Sequence, residues 1–297
     1  MGKKLSTVLI TGGTSGLGRA TAVLLAEQGY RVFVGGRSQA KRDALQAYAR
    51  DRKLPLQTVE MDVRDDASVQ RALAEVPTHA GPIDVLVNSA GIGYYAVMEE
   101  IRMEHLRQQF ETNFFGVVRV TQRVLPEMRQ RRRGRIINLS SIAGKLSLPL
   151  FGPYSGSKFA LEGMTDALRL EVYPFGIYVV LIEPGYIPTE FQNVALELSS
   201  PYTASAAESP YAAVYGAFRR RWKLSTSRSP YKPEDAALVI LRALRETPPR
   251  PRYTVTRRAK VVSLARRFLS DRAIDRTLIR AFGLDRAAET AMPPKDS

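Results

Sequence analysis

The sequence has 297 residues, a length that allows about two domains, or one large α/β domain with an extension. Its 44% hydrophobic and 25% charged residues are typical of a globular protein, and no apolar run approaches the roughly 20 residues that a membrane-spanning helix needs. The absence of cysteine excludes disulfide and thiolate chemistry, and the short start Met1-Gly2-Lys3-Lys4 lacks the regions of a signal peptide. We therefore expect a globular protein of the cytoplasm with no transmembrane helix.

The net charge of +15 predicts attraction to anions, whether nucleic acid, anionic lipid or an anionic ligand. Much of this charge is local, because five arginines lie in Arg129–Arg135 and residues 250–282 hold ten Lys or Arg against two Asp. Cations at a helix end complement the helix dipole, so we interpret the first cluster as a solvated helix end. No specific nucleic-acid site is predicted.

A glycine-rich turn follows the first predicted strand, Leu5–Thr11. The run is Thr11-Gly12-Gly13-Thr14-Ser15-Gly16-Leu17-Gly18, and apolar residues at helical spacing come after it. Such a strand, turn and helix let the backbone approach a pyrophosphate, whose charge then lies at the helix N-terminus. A glycine-rich turn without a ligand is the alternative, but the strand–turn–helix context favours dinucleotide binding.

The second predicted strand, Arg31–Gly35, ends in Gly36-Arg37-Ser38, where a dinucleotide-binding fold meets the adenosine ribose. An acidic residue at this point would bind the ribose 2′-hydroxyl, whereas an arginine can bind a 2′-phosphate. Arg37 therefore favours NADP(H) over NAD(H). The alternative is an arginine that only ends a strand in solvent, and Ser15 supplies no second cation from the glycine loop.

Strands and helices then continue to alternate along the chain. The predicted elements are a helix over residues 39–51, a strand over Leu56–Met61, a helix over residues 67–76 and a strand over Ile83–Val87. This repeated β–α pattern predicts an α/β fold, a Rossmann-type doubly wound parallel sheet of about seven strands with helices on both faces. The site of such a sheet lies at the carboxyl ends of its strands.

Short polar segments follow two of these strands. Asp62 and Val63 come directly after the third strand, where the Asp62 carboxylate either accepts a hydrogen bond from an adenine amine or begins a turn. Asn88-Ser89-Ala90-Gly91 follows the fourth strand and consists of small residues that let the backbone approach a ligand. Position at the carboxyl edge favours cofactor contacts for both segments.

A long helical stretch of about residues 103–131 has Asn113 in its interior, between Thr112 and Phe114. Asparagine is a mediocre helix former, so its place there predicts burial with a specific hydrogen-bonding role, structural or functional. The fifth predicted strand, Arg135–Leu139, delivers Ser140-Ser141 to the same edge of the sheet as the other motifs.

Tyr154 and Lys158 stand four residues apart behind Pro153, a residue favoured in the first turn of a helix. Both side chains should therefore project from one helical face. A cation within about 4–6 Å favours the phenolate, so we expect the pKa of Tyr154 to fall from about 10 toward neutrality and the phenol to exchange protons. Alone, this spacing also fits an ordinary solvated helix face.

The sixth predicted strand, Ile177–Ile182, leads through Pro184-Gly185 into residues 186–232, which lack regular periodicity. The aromatic residues of this segment are Tyr186, Phe191, Tyr202, Tyr211, Tyr215, Phe218, Trp222 and Tyr231. A long segment in a compact domain is more often a functional lid than a structureless loop, and its aromatics predict an apolar substrate. The alternative is a packed helical subdomain with an aromatic core. A helix over residues 233–246 and an edge strand over Arg252–Val255 follow.

A basic C-terminal extension, residues 257–297, is predicted to follow a catalytic domain of residues 1–256. Its apolar residues at helical spacing are Val261, Val262, Leu264, Ala265, Phe268, Leu269, Ile274, Leu278 and Phe282, with Lys260, Arg266 and Arg267 off that face. Such an amphipathic cationic helix would pack against the domain, close over the substrate pocket, or lie weakly on an anionic membrane.

Over residues 5–256 the chain resembles the short-chain dehydrogenase/reductase family. The matching motifs occur in that family's order and spacing, and they are Thr11-Gly12-x-x-x-Gly16-x-Gly18, Asn88-Ser89-Ala90-Gly91, Asn113, Ser141, Tyr154-x-x-x-Lys158 and Pro184-Gly185. Ser89 departs from the family pattern, in which a second asparagine is usual, and this weakens a backbone-supporting contact more than the chemistry. Within the family, residues 88–99, the lid and the basic tail are similar to 17β-hydroxysteroid dehydrogenases and retinol dehydrogenases.

The resemblance implies a catalytic set of four residues. Tyr154 would be the acid/base, Ser141 would hydrogen-bond the reacting oxygen, and Lys158 would hold the nicotinamide ribose and lower the tyrosine pKa. Asn113 would support a proton-relay water, and Thr189 would bind the nicotinamide carboxamide. The residues expected to contact the cofactor are Gly12, Thr14, Ser15, Gly16, Leu17, Gly18, Arg37, Asp62, Val63, Asn88, Ala90, Gly91, Tyr154, Lys158, Pro184, Gly185, Ile187 and Thr189. No metal site is implied.

The sequence thus predicts an NADP(H)-dependent oxidoreductase that interconverts a lipophilic alcohol and its ketone or aldehyde. Hydride would pass between nicotinamide and the carbonyl carbon while Tyr154 supplies the proton to the developing alkoxide. Members of this family commonly pair through their long helices, so a homodimer or homotetramer is expected. A non-catalytic NADP(H)-binding sensor or scaffold is the alternative, since a fold alone does not establish turnover.

Overall fold

The computed structural model describes residues 6–226 and 229–285, apart from the side chains of residues 77–80 and 224–226. Leu5, the predicted start of the first strand, lies outside the described residues. So do residues 286–297 of the predicted extension.

A single parallel sheet forms the centre of the molecule. Its strands are β1 (Thr7–Thr11), β2 (Arg31–Gly36), β3 (Leu56–Glu60), β4 (Val85–Asn88), β5 (Gly134–Leu139), β6 (Ile177–Glu183) and β7 (Arg252–Thr254). They form a 7-stranded sheet in the order β3-β2-β1-β4-β5-β6-β7, and each neighbouring pair is parallel. Strand order reverses between β1 and β4, which places a ligand crevice outside their carboxyl ends. The predicted doubly wound α/β fold is confirmed.

Helices cover both faces of this sheet. They are α1 (Gly16–Glu27), α2 (Gln39–Asp51), α3 (Asp66–Ala80), α4 (Met103–Phe110), α5 (Gly116–Gln130), α6 (Gly152–Glu171), α7 (Glu190–Leu198), α8 (Ser200–Ala204), α9 (Ala212–Thr226), α10 (Pro233–Arg245), α11 (Arg257–Phe268) and α12 (Asp271–Phe282). Helices α1, α2 and α10 pack on one face, and α3, α5 and α6 pack on the other.

Successive residues of β1 point to opposite faces and join two separate cores. Val8 and Ile10 pack in the core that contains Leu25 of α1, whereas Leu9 packs in the core that contains Val124 of α5. Because both faces are covered, the central strands are continuously apolar rather than alternating. This rigid frame fixes the positions of the loops that leave the carboxyl edge.

The helical stretch predicted over residues 103–131 is divided by a π-helical turn at Glu111–Phe115. Asn113 lies in this turn and is fully buried. A π-helical turn interrupts the regular ladder of backbone hydrogen bonds and is frequent at functional sites. The predicted burial of Asn113 is thus observed, and the interrupted helix adds a backbone feature that the sequence did not indicate.

The structure also defines the two C-terminal regions. Residues 186–232 contain the helices α7, α8 and α9, as the interpretation as a helical subdomain expected, and they lie over the carboxyl edge of the sheet. The predicted amphipathic helix of residues 257–282 is two helices, because the chain is extended at Leu269 and Ser270 before α12 begins. Within residues 6–226 and 229–285, no helix combines the length and apolar character needed to cross a membrane.

Candidate active site

A cavity of about 770 Å³ lies at the carboxyl ends of β1, β2, β4, β5 and β6. The glycine loop and the strand ends form one side of it, and residues from α7, α9, α11 and α12 form the other. Most of the predicted site residues meet here. The predicted residues that line it are Gly12, Thr14, Ser15, Gly16, Leu17, Gly18, Arg37, Asp62, Val63, Ala90, Gly91, Ser141, Tyr154, Lys158, Pro184, Gly185, Ile187 and Thr189.

The glycine loop is shaped for close contact with a ligand. Gly12 has a φ of +61°, and a Cβ added to it would lie 2.6 Å from the Cα of Ala90. A Cβ on Gly18 would lie 2.7 Å from the carbonyl oxygen of Gly12. Ser15 makes no side-chain cap to the N-terminus of α1, so the first amides of this helix remain directed at the cavity. The loop therefore forms a cradle that fits a pyrophosphate.

Two cations line the cavity beside the end of β2. Arg37 follows β2 as predicted and is exposed, and Lys41 lies one helical turn further on in α2. The Lys41 Nζ donates to Glu190 Oε1 at 2.7 Å, which joins the start of α2 to the start of α7 across the cavity. The sequence interpretation missed Lys41, although its four-residue spacing from Arg37 places both cations near the first turn of one helix.

Asp62 lines the cavity and also begins a turn. Its Oδ1 accepts a hydrogen bond from the Arg64 backbone amide at 3.0 Å, and its Oδ2 accepts one from Arg64 Nη2 at 2.7 Å. Burial raises the pKa of the Asp62 carboxyl, but the hydrogen bonds and charge of Arg64 outweigh burial and lower the pKa overall. The carboxylate is therefore ionised and already held by an arginine, a partner that the sequence interpretation did not identify.

Asn88 does not line the cavity, contrary to its predicted place among the cofactor contacts. Its Nδ2 donates to Thr121 Oγ1 at 3.2 Å and to Asn138 Oδ1 at 2.9 Å, within the buried layer between β4, β5 and α5. The reason is strand alternation, because Asn88 is still paired in β4 and points into the packed face. Ser89 and Ala90 line the cavity instead, and their backbone amides donate hydrogen bonds to Thr11 Oγ1 at 3.1 and 3.2 Å.

Tyr154, Ser141 and Lys158 come together where the two sides of the cavity meet. Ser141 follows β5 and its hydroxyl accepts a hydrogen bond from the Ala143 amide at 3.1 Å. Lys158 Nζ lies 5.9 Å from the centroid of the Tyr154 ring and donates to the Leu139 carbonyl oxygen at 2.7 Å. Pro153 is in the first turn of α6, so the predicted helix start and the shared helical face are both observed.

The predicted fall in the pKa of Tyr154 is wrong for this structure. Burial raises the pKa of Tyr154 to about 12, while its hydrogen bond with Ser141 acts in the opposite direction. Burial also lowers the pKa of Lys158 to about 8, against the charge of Glu162, which raises it. Desolvation is the largest influence on the pKa of both groups. At neutral pH Tyr154 is therefore a phenol that can donate a proton.

Asn113 does not line the cavity, and its side chain is fully occupied. Its Oδ1 accepts from the Ile92 amide at 2.9 Å, and its Nδ2 donates to the Ile92 carbonyl oxygen at 3.0 Å and to Ser157 Oγ at 3.1 Å. Ser157 in turn donates to the Tyr154 carbonyl oxygen at 2.7 Å. Asn113 therefore ties the loop after β4 to the first turns of α6. Its implied support of a relay water stays a prediction.

Thr189 caps α7 at the mouth of the cavity. The Thr189 amide and hydroxyl both donate to Gln192 Oε1, at 2.8 and 2.9 Å. A Cβ on Gly16 would lie 3.5 Å from the Thr189 Cβ, so the start of α7 closes over the glycine loop. The implied contact of Thr189 with a carboxamide stays a prediction. In the structure the Thr189 hydroxyl donates to Gln192 instead.

Aromatic side chains surround the other half of the cavity. Phe151, Tyr186, Phe191, Phe218 and Trp222 line it together with the ring of Tyr154. The Trp222 ring lies 5.3 Å from that of Tyr95 and 5.8 Å from that of Tyr186, measured between centroids. The surface exposed inside this half is mostly apolar, although Arg221 of α9 also lines the cavity, and it suits a ligand with a large hydrocarbon part.

Other aromatics of the lid form its own core. Tyr202 and Tyr215 are buried, and the Tyr215 hydroxyl donates to Glu100 Oε2 at 2.6 Å. The Tyr211 hydroxyl donates to Glu99, which anchors the same helices to the loop after β4. The interpretation as a packed helical subdomain therefore fits these residues, whereas the role of the segment as a functional lid over an apolar substrate stays a prediction.

Known proteins share this fold and part of this sequence. The short chain dehydrogenase family model matches residues 6–198. Retinol dehydrogenase 8 of Bos taurus is 35% identical over 267 residues, which cover 87% of this chain and 84% of that protein. The 3-ketodihydrosphingosine reductase of Bacteroides thetaiotaomicron is 42% identical over 186 residues, and the match spans only 65% of its length and 63% of this chain. A solved structure of an actinorhodin polyketide ketoreductase variant with NADPH superposes with a TM-score of 0.69 at 32% identity, covering 82% of this chain and 91% of that one.

These matches and the site define a class of protein. The chain belongs to the short-chain dehydrogenase/reductase family. It is an NAD(P)-dependent oxidoreductase that acts on CH–OH groups. The residues present fit a nicotinamide dinucleotide, because the glycine loop is packed too closely for side chains at Gly12 and Gly18, uncapped amides of α1 face the cavity, and Arg37 and Lys41 line the cavity beside β2. The similarity to retinol dehydrogenase 8 agrees with the branch that the sequence resembled.

Proposed function

We propose that this protein is an NADP(H)-dependent reductase and dehydrogenase of a lipophilic carbonyl/alcohol pair. The observation that carries the proposal is the position of Tyr154, whose ring belongs to the aromatic half of the cavity. Lys158 and Ser141, beside the same tyrosine, belong to the half that fits the cofactor. An apolar substrate in the aromatic half would therefore present its oxygen to the phenol.

The chain's own residues would supply binding, orientation and the proton. NADPH, when bound, would contribute the hydride. Tyr154 is protonated at neutral pH and would donate the phenolic proton to the oxygen of the substrate as negative charge develops there. The Ser141 hydroxyl would hydrogen-bond the same oxygen, and the Lys158 ammonium would hold a ribose and stabilise the phenolate that remains. Asn113, through Ser157, would keep the first turn of α6 in place.

The preference for NADP(H) rests on the charges at the end of β2. Arg37 and Lys41 line the cavity there, and the chain around them, Gly35-Gly36-Arg37-Ser38, contains no acid that would bind a ribose 2′-hydroxyl. Ser38 caps α2, accepting a hydrogen bond from the Lys41 amide at 3.4 Å. Arg37 is therefore placed to bind a 2′-phosphate, and Lys41 would join it by exchanging its ion pair with Glu190 for the phosphate.

The proposed substrate class follows from the aromatic half of the cavity. Phe151, Phe218 and Trp222 present rings rather than polar groups, so they would bind a hydrocarbon part and leave recognition of the oxygen to Tyr154 and Ser141. The names of two relatives, a retinol dehydrogenase and a ketodihydrosphingosine reductase, also describe enzymes of lipophilic molecules. The bulk of the hydrocarbon would decide which carbonyl reacts best.

The first test follows NADPH absorbance with a panel of steroid, retinoid, aliphatic and quinone carbonyls. Tyr154→Phe removes only the hydroxyl, so the rate should fall by about 10²–10⁴ while NADPH affinity is kept. Tyr173→Phe is the matched control, because Tyr173 is among the most exposed aromatics and lies at the far end of α6. Tight NADPH binding without turnover of any carbonyl by the wild type would instead support a sensor or scaffold.

Cofactor preference has its own test. Arg37→Asp should weaken NADPH and strengthen NADH, because an anion then replaces the cation beside the 2′-position. Arg50→Asp, at the other end of α2, makes the same change of charge away from the cavity and should alter neither affinity. Equal NADPH affinity in Arg37→Asp and the wild type would refute the assignment.

We also propose a homodimer or homotetramer assembled through the outer surface of α6. Phe159 and Leu170 are exposed on this helix, and Gly163 between them is exposed as well, so one apolar stripe faces outward. A self-complementary contact of two such helices around a two-fold axis would cover it. Light scattering of the wild type should give a multiple of 33.0 kDa, and Leu170→Arg should reduce it. A wild-type mass of a single chain would contradict the assembly.

A further inference from the structure

The outer face of α11 carries an unusual row of exposed apolar side chains. Val261, Leu264 and Phe268 have exposed fractions of 66%, 60% and 74%. Their spacing of three and four residues places all three side chains on one side of the helix, so they form a continuous outer stripe. The sequence interpretation had placed Val262 on the same face, but Val262 lies inward and lines the cavity.

Cations flank this stripe. Helix α11 contains Arg257, Arg258, Lys260, Arg266 and Arg267 and no acidic residue. Helical geometry places Arg258 on one side of the stripe and Lys260 with Arg267 on the other. Within residues 6–226 and 229–285, Arg266 forms an ion pair with Asp271. No ion pair found in these residues involves Arg258 or Lys260. The face is therefore both apolar and strongly positive.

The inner side of the helix is fixed against the domain. Ala259 is 1% exposed, and the Thr256 hydroxyl caps the helix by accepting from the Ala259 amide at 3.1 Å. A Cβ added to Gly185, a residue that lines the cavity, would overlap Thr256. Because the start of α11 is packed this closely, the apolar stripe cannot turn inward without breaking the cap and the contact.

We propose that the outer face of α11 docks on the surface of an anionic lipid bilayer. Apolar side chains would enter the boundary between headgroups and acyl chains, and the flanking cations would meet anionic headgroups. Charge disfavours a two-fold contact of α11 with the same helix of a second copy, because it would set two acid-free cationic helices against each other. Nucleic acid would use the cations but would leave the apolar stripe without a partner.

The docking face lies on the wall of the cavity. Val262 of α11 and Phe282 of α12 line the cavity from inside, while Val261 and Leu264 lie on the opposite side of α11. Docking would thus hold the aromatic half of the cavity close to the lipid from which an apolar substrate comes. This consequence rests on the proposed function, whereas the docking itself does not depend on any enzymatic activity.

The test measures co-sedimentation of the full chain with vesicles of phosphatidylcholine alone or with about one third phosphatidylserine. The wild type should bind the anionic vesicles and not the neutral ones. Val261→Ser/Leu264→Ser/Phe268→Ser should lower the partition coefficient more than tenfold, because the buried apolar area is lost. Arg258→Gln/Lys260→Gln should lower it by about tenfold and reduce its salt dependence.

Matched controls separate this face from general basicity. Arg129→Gln/Arg133→Gln removes the same charge from the other basic cluster and should leave vesicle binding unchanged. Loss of binding in this control equal to that of Arg258→Gln/Lys260→Gln would overturn the proposal, and so would absence of wild-type binding. A stripe variant that binds vesicles normally but has a smaller mass by light scattering would show that a second copy covers the face instead. NADPH binding by the stripe variant reports whether the domain is folded.

Discussion

The two halves of the cavity are built in opposite ways. The cofactor half consists of short loops that leave the ends of β1, β2, β4 and β5, and its contacts are backbone amides, glycines and a few charges. The aromatic half consists of side chains from α7, α9 and the C-terminal helices, which approach from distant parts of the chain. Tyr154 lies at the boundary and belongs to both halves.

This difference determines which substitutions each half of the cavity can tolerate. In the cofactor half a single added methyl group meets fixed backbone, because the sheet holds each loop in place. In the aromatic half a lost ring leaves neighbours that can repack, since the lid is supported mainly by contacts between side chains. We therefore expect small changes in the first half to have larger effects than large changes in the second.

The strongest test of the comparison is Gly12→Ala. Its Cβ would lie 2.6 Å from the Ala90 Cα at a φ of +61°, so both the backbone conformation and the contact become unfavourable. We expect NADPH affinity to fall about 100-fold or more, measured by fluorescence titration. Gly216→Ala is the control, because its Cβ would meet only the end of the Arg220 side chain at 3.4 Å. An affinity within twofold of the wild type, in a folded Gly12→Ala protein, would contradict this account of the loop.

The cofactor half could be predicted from sequence because its geometry is local. The turn after β1 is set by glycine positions within eight residues, and Arg37 lies where β2 ends, so spacing alone located them. Asn88 was assigned to the cavity from the same logic, yet its strand continues one residue further than predicted. A shift of one residue turns a side chain to the other face of a sheet, and sequence patterns do not resolve strand ends that finely.

The second test changes the aromatic half. Trp222→Ala removes a ring that contacts Tyr95, Phe151, Tyr186 and Phe218, so kcat/KM for a bulky apolar carbonyl should fall about 10- to 30-fold. NADPH affinity should stay unchanged, because Trp222 lies away from the glycine loop. Tyr211→Phe is the control, since this lid residue hydrogen-bonds Glu99 and does not line the cavity. An equal loss of kcat/KM for acetone-sized and bulky carbonyls would show that the Trp222 ring stabilises the fold rather than binds the substrate.

The aromatic half was beyond sequence analysis for a physical reason. Which ring of residues 186–232 lines the cavity depends on how α7, α8 and α9 pack against the loop after β4, and no local spacing determines that packing. The predicted fall in the pKa of Tyr154 was wrong for a related reason. The four-residue spacing to Lys158 is visible in the sequence, but the burial that raises the pKa of Tyr154 comes in part from residues far along the chain, such as Phe191.

A third test concerns Lys41, where the two halves are joined by an ion pair. Lys41→Ala should weaken NADPH about three- to fivefold and leave NADH unchanged, since an exposed charge pair contributes little more. Glu190→Gln should strengthen NADPH slightly, because the carboxylate that competes for Lys41 is removed. Both affinities can be measured by fluorescence titration at two salt concentrations. If Lys41→Ala weakened NADH and NADPH equally, the lysine would act on the lid rather than on the 2′-phosphate.

The smallest expected effect concerns Glu162, which lies one helical turn after Lys158 and is buried. Its charge raises the pKa of Lys158, which burial lowers to about 8, so Lys158 loses its proton and its hold on a ribose as the pH rises through that value. Glu162→Gln removes the supporting charge and leaves burial unopposed. The alkaline limb of kcat/KM for NADPH should therefore move to lower pH, by on the order of half a unit.

Asp166→Asn is the matched control for that pH profile. Asp166 lies one turn further along α6 and shares Arg252 with Glu162, so its removal disturbs the same ion pairs. The effect of a carboxylate on the pKa of Lys158 depends on its distance from Lys158 and on its burial. Asp166 is the more exposed and more remote of the two carboxylates. The limb should accordingly stay in place in Asp166→Asn. Two results would contradict this account: an alkaline limb of kcat/KM that moved equally in both variants, and a limb that moved to higher pH in Glu162→Gln. Either result would mean that the ion pairs with Arg252 shape α6, and that the charge of Glu162 does not act on the pKa of Lys158.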